Sequence, residues 1–503
     1  MTVTSVPVRP ASDRESRLAP PLTFLRLLWI ELRHNVMPWL LPLIAALFWF
    51  DSYRPSTGTP PVWVLRTFWN MGQGHTIIDF GPFVAGVAAW MGSRDGRRGT
   101  LDLVTGTPRP RWVAQLATWA ATAIWAVGAY LVFVGVMFGV YMSQGLQGEP
   151  PWWWVGVGAV AVAAFSAAGF ALGAYWPSRF AAPLAVFGGF LAMMVSSQTG
   201  FSEPKGWYLI LPTNSNNNYG ADTGMFYPFL PDLPMARMMF LAGIAIVALG
   251  LAGLPARAGG PRLRWAAAVV TACGVAVAGT AVGLAATARI APNGAVIPAL
   301  HDAANDRPLP YTPACGHATI PVCVNPGYRP DLTHVMTAVG SVAREIVGLP
   351  GAPARAVQVA TYYSAGNAAG PILPGEAETI GGSPPVLRLP LGAIGLVGGF
   401  GQDPQDFTDQ VRLQFVHAFV GAGSGTGTPA QQAVQAALLE RAGVPLPLVS
   451  KELAIAGLPV QAAGPVYAAA GRLAALPPAA RHAWLATHLA ALRSGQLTLR
   501  DLP

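Results

Sequence analysis

Residues 152 to 175 read WWWVGVGAVAVAAFSAAGFALGAY, a run without one charged side chain and with three tryptophans at its start. A helix rises 1.5 Å per residue, so a run of this length crosses the roughly 30 Å of bilayer hydrocarbon with its aromatic end at the interface. Residues 115 to 142, QLATWAATAIWAVGAYLVFVGVMFGVYM, repeat the pattern. Working outward, further apolar stretches at 36 to 50, 76 to 92, 180 to 197, 238 to 254 and 265 to 287 bring the expected spans to seven. The first is the shortest, bracketed by Arg33 and Asp51 with Pro38 inside, and suits a tilted or partly interfacial helix. The balance of the chain agrees. It is 52% apolar and 11% charged, whereas soluble chains carry about 25% charged residues.

The net charge of +8 does not mark a nucleic-acid binder, because the cations are not gathered on one exposed face. Residues 1 to 288 hold 18 Lys and Arg against 11 Asp and Glu, and residues 289 to 503 hold 13 against 12, so the surplus belongs to the apolar half. Within that half the cations follow a topology. The segments 1 to 35, 93 to 114, 176 to 179 and 255 to 264 carry 14 arginines, while the alternate loops carry Arg54, Arg66, Lys205 and Arg237. Cytoplasmic loops retain Lys and Arg, which predicts a cytoplasmic N-terminus and, after an odd number of spans, residues 289 to 503 on the far side. Only two lysines, with abundant Ala, Gly, Pro and Arg, suggest a GC-rich bacterial genome, so the membrane expected for these spans is the bacterial cytoplasmic membrane.

The first 20 residues are polar and the apolar run after them is broken by Arg26, Glu31 and Arg33, unlike a cleaved signal peptide. Leu22 to His34 reads as an amphipathic helix on the membrane surface, Arg26 and Arg33 sharing a face opposite Leu25, Leu28 and Trp29; the alternative is an extension of the first span. Cys273 is an apolar filler of the seventh span. Cys315 and Cys323 lie in a Pro-rich loop expected outside, where disulfides persist, and a bond between them is expected over two free thiols. A metal site there lacks ligands, since only His317 stands nearby.

The first cytoplasmic loop, Gly92 to Trp112, reads GSRDGRRGTLDLVTGTPRPRW. Thr100 suits the cap of a short helix, Leu101 and Val104 share one face, Asp102 complements the positive N-terminal end, and Gly106 and Pro108 stop it. An Arg-rich loop that serves topology alone is the plainer reading. The run Arg98, Gly99, Thr100, Leu101, Asp102, Leu103 and Val104, followed by Thr107 and Pro108 and then Arg111 and Trp112, resembles the loop between the first two spans of ABC transporter permeases of the type-2 exporter family.

The resemblance covers about residues 20 to 256. It implies a six-span helical permease over 36 to 256, preceded by a cytoplasmic N-terminus with its interfacial helix over 1 to 35. It also implies that the loop at 92 to 114 is a coupling helix docking into a separate ATPase subunit, with a second permease copy completing the transporter. Family members typically end after six spans. Here a seventh span at 265 to 288 and an exported domain at 289 to 503 follow, as in some actinobacterial members. ATP would be hydrolysed by the partner. Neither Lys205 nor Lys451 stands in the Gly-x-x-x-x-Gly-Lys-Ser/Thr loop that cradles phosphates, and no cofactor or metal is expected on this chain.

The exported domain shows helical patterns near 330 to 348, 404 to 421, 429 to 443, 465 to 475 and 478 to 494, with Asp403-Pro404 and Thr428-Pro429 as cap and first-turn pairs. Extended stretches at Ala356 to Tyr363 and Val386 to Leu391 make it a mostly helical α+β unit. His417 lacks the Glu and second His of a zinc-hydrolase helix, no Gly-x-Ser-x-Gly turn occurs, and Gly421 to Thr428 reads as a flexible loop. Other polar candidates are Asp79 beside His75 near the outer end of the second span, and the loop Trp207 to Phe229, a cap over the outer helix ends or a vestibule. A membrane-anchored extracytoplasmic enzyme or receptor is the alternative to the permease.

Overall fold

The computed structural model describes residues 20–52, 80–99, 111–143, 152–199, 210–211, 225–253, 261–291, 294–360, 379–391, 404–421, 427–444 and 463–503. Over these residues the apolar half is mostly helical. Helices α1 (Pro20–His34), α2 (Met37–Ser52), α3 (Gly81–Gly92), α4 (Arg111–Ser143), α5 (Trp152–Tyr175), α6 (Ala181–Thr199), α7 (Asp232–Gly253) and α8 (Pro261–Ala286) follow in order. Four are long and apolar enough to cross a membrane: the Trp112–Gly139 stretch of α4, then α5, α7 and α8. The stretches Met37–Ala46, Gly81–Gly92 and Ala181–Ser196 are apolar but shorter.

Several expectations need correction. The sixth apolar stretch begins at Asp232, six residues before the expected 238, so Arg237 is not in a loop. It is fully buried inside α7, with its guanidinium 5.2 Å from the centre of the Trp154 ring. The tryptophan trio is correspondingly split. Trp152 and Trp153 are exposed as a belt would be, but each helical residue turns about 100°, and Trp154 lands on the inward face. In α1, Arg33 is not opposite Trp29: four residues apart on a helix they are neighbours, and the guanidinium sits 4.6 Å from the ring centre. Helix α8 starts at Pro261, so Arg262 and Arg264 lie in its first turns.

Small residues set how these helices meet. A Cβ added at Gly169 of α5 would lie 2.0 Å from the Ala85 carbonyl oxygen of α3, and one at Gly173 would lie 2.0 Å from that of Ala89. The two backbones therefore touch along one small-residue seam. A second seam joins α7 and α8, where a Cβ at Gly243 would come within 2.8 Å of the Gly274 carbonyl oxygen. Helix α8 buries only Ala267, Gly274, Ala281 and Ala285, the first three at heptad spacing. That stripe faces α7 and leaves residues such as Trp265 and Val275 exposed, as lipid-facing residues would be.

After α8 comes a hairpin of β1 (Arg289–Ala291) and β2 (Gly294–Val296), and then a domain built on a five-stranded sheet. Its strands are β3 (Ala314–His317), β4 (Pro321–Val324), β5 (Arg355–Gln358), β6 (Thr379–Gly381) and β7 (Val386–Leu389), in spatial order β3-β4-β5-β7-β6. The pairs β4–β5 and β5–β7 are parallel and the outer two are antiparallel. A parallel pair needs a crossover, and helix α9 (Leu332–Ile346) supplies it between β4 and β5. It buries Val335, Ala338, Val339, Val342 and Ile346, the i, i+3, i+4 stripe of an amphipathic helix.

Helices α10 (Pro404–Val420), α11 (Pro429–Arg441), α12 (Ala463–Ala475) and α13 (Pro478–Arg493) complete the domain, each within a few residues of its sequence pattern. Thr428 caps α11, its hydroxyl accepting from the Gln431 N–H while the Gln431 side chain accepts from the Thr428 N–H. Asp403 lies outside the described residues. The cysteine segment is not the expected loop but the β3–β4 hairpin, because Val322 and Val324 alternate inward on β4 despite the prolines around them. Cys315 and Cys323 face each other across the ladder and are disulfide-bonded.

The α3–α5 seam makes a test. Gly169→Val places branched carbons where the Ala85 backbone stands, so it should cost more than the usual 1–3 kcal/mol of an overpacked core and lower the melting temperature in detergent by several degrees. Gly188→Ala, whose added Cβ meets nothing within 4 Å, should melt within about a degree of wild type.

Candidate functional site

The segment singled out by its motif leaves α3 at Gly92 and enters α4 at Arg111. Of its candidate residues, Arg98 and Gly99 are described, and Thr100, Leu101, Asp102, Leu103, Val104, Thr107 and Pro108 lie outside the described residues. The expected short helix over 100 to 104 lies there too. What the structure describes is how both ends of the segment are held.

On the α3 side, one helical turn, Arg94–Arg97, follows the helix. Arg94 makes a two-pronged ion pair with Glu31 of α1, Nη1 to Oε2 at 3.0 Å and Nη2 to Oε1 at 2.7 Å. Both side chains are mostly buried, so the fork-to-fork geometry is worth more than an exposed pair. The hydrogen bond to Glu31 raises the Arg94 pKa above its ordinary value. Arg97 turns back over Trp90, its guanidinium 3.4 Å from the ring centre, and donates to the Trp90 carbonyl at 2.9 Å and to the Ser93 hydroxyl at 3.0 Å. Gly96 lies against Pro177 of the α5–α6 connection, where an added Cβ would come within 2.3 Å. Gly99 then takes φ +67°, the left-handed conformation that lets the chain leave the turn.

On the α4 side, the Trp112 indole donates to the Leu249 carbonyl of α7 at 3.3 Å. A Cβ at Gly253 would meet the same indole at 3.1 Å. Helix α1 is itself fixed to α4. The Asn35 amide donates to Thr122 Oγ1 at 2.9 Å and its carbonyl accepts from the Met37 N–H at 2.9 Å, while Trp125 Nε1 donates to the Leu32 carbonyl at 3.0 Å. Asn35 and Val36 break the chain between α1 and α2, so α1 is a helix of its own. Leu25, Trp29 and Ile30 remain exposed on it.

At the opposite end of α7 a second cluster ties that helix to the C-terminal domain. Asp232, with no accessible surface, accepts from the Ile297 N–H at 2.9 Å and meets His301 Nδ1 at 3.1 Å. His301 Nε2 meets Asp306 Oδ2 at 3.1 Å, so one imidazole stands between two carboxylates. The hydrogen bond to Asp306 raises the His301 pKa most, and the charges of Asp232 and Asp306 act in the same direction against the opposing effect of burial. Only the protonated ring donates from both nitrogens. Residues 225–230 extend the contact: Phe226 packs edge-on against Tyr311 and accepts from the Leu309 N–H at 2.8 Å, and the Met225 carbonyl accepts from Asn325 Nδ2 at 3.4 Å. These are the last residues of the expected outer cap. Most of that loop, with Asp79 and His75, lies outside the described residues.

Elsewhere in the domain, His417 is buried on α10, as are Gln410, Arg412 and Gln414. His482 and His488 each bond a backbone carbonyl, Val347 and Trp484. Among the described residues no group of three His, Cys, Asp or Glu side chains is arranged to hold a metal ion. No protein-family model, curated protein or solved structure matches the chain.

Glu31, Arg94, Asp232 and His301 are the residues that sequence reading passed over. Glu31 was visible only as an interruption of an apolar run, yet it is the single acid on a helix otherwise apolar and cationic. Asp232 between two prolines stands where a helix N-terminus favours a carboxylate. His301 carries no motif, and 69 positions separate it from its partner.

The raised His301 pKa sets a sign. A group bound more tightly as its cation in the folded state contributes fully below its ordinary value of about 6.5, and loses that contribution as pH rises through the raised value. Thermal melting of the purified chain should therefore weaken as pH rises above about 6.5, with a shallower slope in His301→Gln. Equal slopes in both proteins would show that the two carboxylates do not hold the proton.

Proposed function

We propose that the chain is the membrane-spanning permease subunit of an ABC exporter, working as a dimer of permeases with separate ATPase subunits. Residues 36 to 256 form its six-span core, residues 265 to 288 its seventh span, and residues 289 to 503 an extracytoplasmic domain. The observation that carries this reading is the tethering of the segment from Gly92 to Arg111. A loop needed only to reverse the chain has no use for a partly buried bidentate ion pair to α1 and an indole bond to α7. A loop that must pass force does, because a push on it reaches α1, α3, α4 and α7 without first being absorbed by slack.

In this reading the residues from Arg98 to Val104, with Thr107 and Pro108, present the docking surface. Leu101 and Val104 fill an apolar groove of the ATPase, and Asp102 steadies the start of the helix. Closure of the ATPase pair on ATP drives the loop toward the membrane and shifts the helices that grip it. The chain binds no nucleotide and no metal of its own. Its other partner is the surrounding lipid of a bacterial cytoplasmic membrane.

The test is direct. The chain should copurify with a soluble ATPase and show little ATPase activity alone. Changing Leu101 and Val104 together to Asp should lower transport-coupled ATPase stimulation by about tenfold or more, because unpaired charges would enter the docking groove. Unchanged stimulation and transport in that double variant would sink the assignment.

Topology gives a separate measurement. With residues 289 to 503 outside, a membrane-impermeant maleimide added to intact cells should label Cys315 or Cys323 only after reduction. Labelling before reduction would reject the bond under native conditions, and no labelling after reduction would reject the exposed placement.

A further inference from the structure

We propose that the groove between the α1–α2 corner and α4 is a binding site for one anionic phospholipid, with its head on Arg33 and an acyl chain along α4. The groove has a volume of about 1070 Å³, and its lining includes Trp29, Arg33, Trp39, Trp125, Gly128 and Val132. Its walls are almost wholly apolar, and Trp39 and Val132 are 84% and 65% exposed. Around a helix that crosses a membrane, such surfaces meet lipid chains. The structure adds a shaped recess and a charge at one end of it.

That charge is Arg33. Among the described residues it has no acidic partner, in contrast to Arg94, which is paired with Glu31, the acid two residues before Arg33 on α1. Its guanidinium stacks 4.6 Å above Trp29 and keeps its donor edge for an oxygen acid, and a planar guanidinium binds a phosphate through two parallel hydrogen bonds. Trp125 directs its indole N–H to the Leu32 carbonyl, so its ring closes the groove beside Arg33 and presents carbon to the occupant. Tryptophans at this density mark the depth at which lipid heads sit. The other groove-lining polar group, Asn35, is occupied by Thr122 and the Met37 N–H, which leaves the arginine to select the head. A zwitterionic head offers the same phosphate with a compensating ammonium, so the net negative head is preferred.

Gly128 provides the means to empty the site. It lines the groove on α4, and a Cβ built there meets nothing within 4 Å, so a larger side chain enters the recess and not the protein. The inference needs the chain to span a membrane and does not depend on transport or on an ATPase.

The experiment uses the full chain purified in detergent, offered equimolar phosphatidylglycerol and phosphatidylcholine, with retained lipid read by native mass spectrometry. Wild type should retain about one phosphatidylglycerol in preference to phosphatidylcholine and melt higher in its presence. Arg33→Gln should lower phosphatidylglycerol retention about tenfold, while Arg33→Lys keeps part of it. Gly128→Leu should displace both lipids with an unchanged melting temperature in detergent alone. Equal retention of the two lipids by wild type, or retention unaffected by Gly128→Leu, would overturn the proposal. So would conversion of a dimer to monomers by Gly128→Leu in lipid-free detergent, which would assign the groove to a second copy of the chain.

Discussion

The arrangement of the apolar helices depends on how closely two backbones can approach. Where Gly169 and Gly173 of α5 meet Ala85 and Ala89 of α3, the packing leaves no room for even a methyl group. In lipid, helices gain nothing by hiding apolar surface from one another, so contact must come from van der Waals fit and weak polar bonds along such seams. The α7–α8 seam at Gly243 and Gly274 follows the same logic. Each seam turns two helices into one mechanical body, and the polar ties of the molecule are attached to those bodies.

Among the described residues of the apolar half, most of the charged ties occur near the ends of the helices. Arg237 and Trp154 meet inside the bundle, where a buried guanidinium is costly without company and an aromatic face offsets part of that cost. Elsewhere the charges sit where helices stop: Glu31 with Arg94 at one end, Asp232 with His301 and Asp306 at the other. In the C-terminal domain, burial pushes the Asp331 carboxyl, at the start of α9, up to about 7. Burial favours its neutral form, which suits a group whose side chain makes no cap hydrogen bond.

The helices were legible because their periodicities are strong. An uncharged run of membrane-spanning length has few other readings, and the patterns at 330 to 348 and 429 to 443 carry the stripe or the cap that starts them. The β3–β4 hairpin was not legible, since four-residue strands beside Pro313 and Pro321 leave too short an alternation to recognise. The edge strand β6, with three residues, shares that fate. Arg237 misled for a different reason. A cation near the end of an apolar run is ordinarily outside it, and tertiary contacts such as the one to the Trp154 ring make an inward placement tolerable. The anchors that tie the 92 to 111 segment to α1 and α7 were invisible because they link residues 63 and 137 positions apart, and single-sequence spacing carries no information at that range.

Helix α7 is gripped at both ends by different parts of the chain: Trp112 holds its Leu249 turn and the C-terminal domain holds Asp232. A helix of 22 residues is about 33 Å long. Pivoted near one end, it is a lever arm, and a tilt of about 5° displaces the other end by about 3 Å, comparable to the helix shifts that separate states in switching proteins. The domain needs no relay of side chains through the bundle to register such a tilt, because it is fastened to the tip of the arm.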